Sequence, residues 1–308
     1  MTLHADDDPA APSPVADRWA HAAALDAALA PIDWSVLPAG AERDEVAVPS
    51  GRLARVSMGP ADGPRVVLVP GMTGSKEDFT LMLPLLAAAG LRVESFDMAG
   101  QYESAGAGPE HLHPPQDRYT LALFVDDLLA VLDTGATPAH VLGYSFAGTV
   151  AAAAAVQAPE KFASLTLLSA PPLAGRALRG FKKLGGLSPF VPPRLLGRLF
   201  IAALRRNVHG APHDRAVFVT ARFERTRPTS VGDIFALMQQ TPDLAAPLRA
   251  TGIPVLVATG AGDVFRAEDH RAFAERLGAA LLVLPTGHSP CETTPHQLTE
   301  AMRDLMRV

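Results

Sequence analysis

The sequence predicts an α/β protein with one mostly parallel central sheet, helices on both of its faces, and a helical cap inserted before the last strands. Short apolar runs alternate with helical stretches along most of the chain, which is the pattern of parallel strands joined by crossover helices. That alternation fails between about residues 172 and 248, where no strand run intervenes. The chain has 308 residues, 48% of them hydrophobic, enough for one large core with an insertion.

Taken in order, residues 1 to about 16 mix Asp, Pro and Ala without periodicity and read as a flexible tail, with a short helix around Arg18 to Leu29. Glu45–Val48 and Leu53–Val56 are short strands broken at Pro49-Ser50-Gly51, which predicts a hairpin at a sheet edge. Six further strands are predicted at Val66–Val69, Val93–Phe96, His140–Leu142, Leu165–Leu168, Val255–Val257 and Leu281–Leu284. Between them lie predicted helices at Lys76–Ala89, Leu121–Leu132, Phe146–Val156, Asp269–Leu277 and His296–Met306, several opening after Ser, Thr or Asp. The domain reading is therefore a tail and short helix over 1–30, a core over 31–172 and 248–308, and a helical cap over 173–247.

Composition narrows the function. A net charge of −5 gives no basic footprint for nucleic acid. The single cysteine, Cys291, cannot form an intramolecular disulfide, and Asp6-Asp7-Asp8 stand where a secretory signal would carry positive charge and an apolar run. No run is apolar and long enough for a transmembrane helix, so a cytoplasmic protein is expected. No glycine-rich nucleotide loop follows a strand, and His111 and His113 flank Leu112 in a Pro-rich loop typical of solvated histidines; neither cofactor nor metal is implied.

The chemistry-bearing segment is Gly143-Tyr144-Ser145-Phe146-Ala147-Gly148, which follows an apolar strand and opens an alanine-rich helix. A serine on such a sharp turn needs small residues two positions either side, because strand and helix approach closely. Gly143 and Ala147 meet that need, although the strict pattern has glycine at the second position. With this turn the chain resembles the α/β-hydrolase superfamily.

The resemblance extends to independent segments. A serine hydroxyl needs a base, and the base needs a carboxylate to fix its tautomer; the family supplies them in the order Ser, acid, His. Thr259-Gly260-Ala261-Gly262-Asp263 looks like the acid-bearing loop, so Asp263 is the implied acid. Its alternative is a helix N-cap, and Glu268 and Asp269 lie past the turn. Gly287-His288, followed by Glu292 and Pro295, resembles the family's histidine segment and makes His288 the implied base. In this fold the oxyanion donors are the backbone N–H after the nucleophile and one from the loop after the third strand, here Phe146 and Met72. Gly71, Tyr144 and Tyr102 are then expected beside the substrate. The family usually has His-Gly where this chain has Pro70-Gly71, so that histidine's hydrogen bond must be replaced or absent. Asp97-Met98-Ala99-Gly100-Gln101-Tyr102-Glu103-Ser104 is similar to the family's Asp-x-x-Gly-x-Gly-x-Ser, with Tyr102 replacing the second glycine. The resemblance covers about residues 44–172 and 248–308.

It implies a serine hydrolase that cleaves an ester or related acyl bond of a small molecule. Carbon–carbon bond hydrolysis, thioester hydrolysis and acyl transfer use the same residues, and a non-catalytic binding protein on this fold is the alternative from another class. The insertion is strongly basic: between Arg176 and Phe235 twelve Arg and Lys face three acids. It reads as a solvated face, as an attractor of an anionic or carrier-bound substrate, or, with Phe181, Phe190 and Phe200 among the charges, as a membrane-surface contact.

Overall fold

The computed structural model describes residues 14–175 and 213–308. The tail's first thirteen residues, the Arg194–Arg206 stretch and the phenylalanines at 181, 190 and 200 lie outside the described residues. Eight strands form one sheet: β1 (Glu42–Val48), β2 (Gly51–Met58), β3 (Arg65–Val69), β4 (Arg92–Phe96), β5 (Ala139–Tyr144), β6 (Phe162–Leu168), β7 (Val255–Gly260) and β8 (Ala280–Leu284). Their order is β1-β2-β4-β3-β5-β6-β7-β8. The β1–β2 hairpin is antiparallel and joins β4 antiparallel; every pairing from β4 to β8 is parallel.

Because side chains alternate across a strand, each central strand feeds two cores. Val67, Val69, Val141, Leu165, Leu167 and Val257 point to one face. They pack with α3 (Leu121–Asp133), α4 (Phe146–Gln157) and α8 (Ala267–Leu277). Val66, Leu68, Leu142, Leu168, Leu256 and Ala258 point to the other, toward α2 (Met82–Ala88) and α10 (Pro295–Met306). Helix α3 starts where expected because Thr120 caps it, its hydroxyl accepting from the Leu123 N–H at 3.2 Å.

Two elements differ from the sequence reading. The helix expected over Lys76–Ala89 is a 3₁₀ turn at Lys76–Phe79 followed by α2, since Lys76 and Asp78 turn into buried ion pairs instead of continuing a helical face. Near the N-terminus, α1 (Pro14–Ala27) begins earlier than Arg18 and docks on α10. There the Asp26 carboxylate accepts the His296 and Gln297 N–H groups at 2.8 and 3.0 Å, occupying unpaired donors at the start of α10.

Between β6 and β7, the described residues hold α5 (His213–Arg225), α6 (Pro228–Met238) and α7 (Ala245–Ala250), with no strand among them. Val231, Ile234, Phe235 and Met238 of α6 join the core on the α3–α4 face. Among the described residues no helix is long and apolar enough to cross a membrane.

Candidate active site

Parallel strands bring their C-terminal ends to one edge of the sheet, and loops from that edge form the site. Ser145 follows β5, Gly71 and Met72 follow β3, Asp263 follows β7 and His288 follows β8. Thus four loops far apart in sequence meet because of strand order.

Ser145 sits on the turn between β5 and α4 with φ 53° and ψ −123°, a conformation that costs a non-glycine residue about 1–3 kcal/mol. Neighbouring contacts hold it there. Its N–H donates to the Leu168 carbonyl at 2.8 Å, and its carbonyl accepts from Gly148 at 2.9 Å. A Cβ on Gly143 would lie 2.5 Å from the Ala147 carbonyl oxygen, so glycine is required there. The second close approach falls one residue later than the strict pattern: a Cβ on Gly148 would sit 2.4 Å from the Ala170 methyl, whereas Ala147 fits in full burial.

His288 bridges the other two groups. Its Nε2 lies 3.1 Å from Ser145 Oγ and its Nδ1 lies 2.8 Å from Asp263 Oδ1. The Asp263 carboxylate is buried, and it also accepts from the Thr259 hydroxyl at 2.8 Å and the Phe265 N–H at 3.0 Å. Burial would raise its pKa; the hydrogen bond and charge of His288 outweigh that and hold the carboxyl below its ordinary value. An ionised carboxylate on Nδ1 favours the tautomer with hydrogen on Nδ1, which leaves Nε2 free to accept from Ser145. Thr259 was not singled out from sequence, although its place at the end of β7, four residues before Asp263, is the signal for it.

Gly71 lies against the serine: a Cβ there would be 3.0 Å from Ser145 Cβ. Among the described residues no loop or side-chain hydrogen bond takes up the N–H groups of Met72 and Phe146. The loop that carries Met72 is closed by Gly74 N–H donating to the Gly71 carbonyl at 2.9 Å. It is further held by the Ser75 N–H on Asp78 at 3.3 Å and the Lys76 N–H on Asp97 at 2.8 Å.

Tyr144 is buried, its ring centroid 5.4 Å from that of His288, and its phenol shares a 2.7 Å hydrogen bond with the hydroxyl of Ser289. Burial pushes the phenol well above its ordinary pKa, so it remains neutral. The Tyr102 ring contacts Phe218 and Arg225 of α5 and the Lys76 ammonium, and its N–H donates to Thr226. The structure brings it against the insertion. Lys76 itself is enclosed by Glu77, Asp97 and Glu103 at 3.0, 3.1 and 2.6 Å.

Arg215 and Arg222 of the insertion are buried, while Arg225 is exposed and Arg227 half-buried. Arg215 pairs with Asp78 and Glu292, Arg222 with Asp78, Arg225 with Glu103 at 3.8 Å, and Arg227 with Glu110 at 2.6 Å. All four arginines between residues 213 and 235 thus meet carboxylates of the core. Sequence reading could not find these partners, because each pair joins residues more than a hundred positions apart or across the insertion's end.

The strand order, the strained serine turn and the strand-end loops define an α/β-hydrolase fold. A family model described as alpha/beta hydrolase fold matches residues 64–185. A proposed carbamate hydrolase, RutD, of Variovorax paradoxus is 35% identical over 113 residues, covering 36% of this chain and 40% of that protein. Epoxide hydrolase B of Mycobacterium tuberculosis is 33% identical over 132 residues, 42% of this chain and 35% of its own. The match therefore spans well under half the length of these curated relatives. Over most of the chain the likeness is one of fold. A hydrolase from Pseudomonas aeruginosa superposes with a TM-score of 0.70 at 24% identity, covering 88% of this chain and 100% of that one. A carboxylesterase of the thaumarchaeon Nitrososphaera gargenis gives 0.70 at 18%, covering 86% and 98%. The chain thus has the α/β-hydrolase fold, and its residues 64–185 match that family's model.

Proposed function

We propose that the chain is a serine hydrolase that cleaves an ester or related acyl bond of a small molecule, with Ser145 as nucleophile, His288 as general base and Asp263 as the acid that orients it. The observation that carries this reading is the continuous hydrogen-bonded run from Ser145 through His288 to Asp263. As Ser145 Oγ attacks the carbonyl carbon, its proton passes to His288 Nε2. The Met72 and Phe146 N–H groups take the negative charge on the carbonyl oxygen. Protonated His288, stabilised by Asp263, then gives its proton to the leaving group as the carbon–oxygen bond breaks. Water attacks the acyl-serine, with His288 again the base, and the acid and free serine result.

The epoxide hydrolase relatives do not transfer their named activity to this chain, because epoxide opening on this fold calls for a carboxylate nucleophile and position 145 holds a serine. Residues 173–247 act as a cap over the site, with α5 and α6 its described part. The test is intact mass after incubation with a fluorophosphonate. A single adduct on wild type that is absent from Ser145→Ala supports the reading. A folded wild-type protein that takes no adduct overturns it and favours a non-catalytic binding protein.

A further inference from the structure

The reading above leaves unexplained why two carboxylates and two guanidinium groups are buried together beside the site. Asp78 is 2% exposed, Arg222 5% and Arg215 6%. Arg215 Nη2 reaches Asp78 Oδ1 at 2.7 Å and Glu292 Oε1 at 2.5 Å, while its Nε donates to Glu292 Oε2 at 3.0 Å. The guanidinium face stacks on Trp34, 4.4 Å from the ring centroid. Arg222 adds a second cation, 2.5 Å from Asp78.

The two carboxylates belong to the two loops that must be in register for the proposed chemistry. Asp78 accepts from Ser75 at the end of the Gly71–Ser75 loop, and Gly74 lacks a Cβ that would otherwise stand 2.5 Å from Asp78 Oδ2. Glu292 lies on α9 (Pro290–Thr293), whose first turn closes on Ser289, the residue after His288. One planar fork therefore ties the oxyanion-side loop to the histidine-side loop, and the tie is supplied by the insertion. Only a guanidinium presents parallel donors to one carboxylate while reaching another and stacking on an aromatic face.

We propose that Arg215 is a positioning residue: by bridging Asp78 and Glu292 it sets the placement of the Met72 loop relative to His288, so the cap helix α5 completes the site. This rests on the assignment of Ser145, His288 and Met72 above. Asp78 fits the arrangement, since burial would raise its carboxyl but the charges of Arg222 and Arg215 hold it below its ordinary value.

The experiment is the rate of fluorophosphonate labelling, with KM and kcat on a chromogenic ester, for Arg215→Met, Arg215→Lys and Glu292→Gln, each first shown to be folded by circular dichroism. Displacement of reacting groups by a fraction of an ångström lowers labelling and kcat by about tenfold to a hundredfold in Arg215→Met. KM changes by less than about threefold, because the loss is in the reacting geometry and not in substrate binding. Arg215→Lys recovers part of the rate, since an ammonium still pairs with one carboxylate. If Arg215→Met does not fold, Glu292→Gln reads the same bridge with Asp78–Arg215 intact, and its rate falls by several-fold, roughly. Labelling within about twofold of wild type in the folded variants overturns the proposal and leaves the triad reading standing. Wild type that takes no label overturns both.

Discussion

Replacing Gly143 by alanine tests whether close approach at the turn is what holds Ser145. The added Cβ would lie 2.5 Å from the Ala147 carbonyl oxygen and 2.8 Å from the Gly148 Cα, both backbone atoms that cannot rotate away. A carbon–oxygen contact needs about 3.3 Å, so β5 and α4 must separate by about 0.8 Å where the nucleophile sits. Overpacking of this kind costs about 1–3 kcal/mol. For a protein of this size that lowers the melting temperature by about 1.5–5 °C. The same displacement moves Oγ relative to His288 Nε2, now 3.1 Å away, and approaches the ångström that costs about a hundredfold in rate. Gly106→Ala is the control, because its Cβ meets nothing within 4 Å and its backbone is not left-handed. Thermal unfolding and fluorophosphonate labelling of both variants measure the effect. A Gly143→Ala protein that melts within about 1 °C of wild type and labels at the same rate would refute the idea that tight packing positions the serine.

Asp263→Asn removes the charge that stabilises protonated His288 and favours the wrong tautomer, so labelling and ester turnover fall by about a thousandfold or more; a loss below about tenfold contradicts the role given to Asp263. Tyr144→Phe keeps the ring but deletes the hydrogen bond to Ser289, costing about 1 kcal/mol in chemical denaturation, and unchanged stability contradicts that bond's contribution. Asp127 is buried and accepts two hydrogen bonds from Ser50, yet burial raises its pKa from 3.8 to about 6. Between those values the folded state holds a proton that the unfolded state has lost, so this group's contribution falls as pH rises from about 4 through about 6. Asp127→Asn, a neutral mimic, is therefore more stable than wild type at pH ~8 by up to roughly 3 kcal/mol and nearly equal to it at pH ~4. A melting-temperature difference that does not grow with pH contradicts this.

What the sequence reveals is set by how local its causes are. Apolar runs ending in Gly or Asp announce β5, β7 and β8, and the residues that follow them are the ones the fold gathers: Ser145, Asp263 and His288 were legible because each sits on a turn whose chemistry is written within a few positions. Strand order is less local, but the alternation of strand and helix with parallel pairing leaves few alternatives, and the eight strands appear where the apolar runs lie. The basic insertion was legible as a count of charges and not as a structure. Its described arginines at 215, 222, 225 and 227 find carboxylates on the core, and Asp78 and Glu292 carry no mark in their own neighbourhoods that a guanidinium will bridge them. Tyr102 shows the same limit: its place in a glycine-like position suggested the pocket, but a side chain there turns toward whichever element lies over the loop, and that element is α5. A charge count alone suggested an attractive field for an anion. For the described cations, each matched to a carboxylate, the contribution proposed is one of geometry, exerted through Arg215 on the loops beside Ser145.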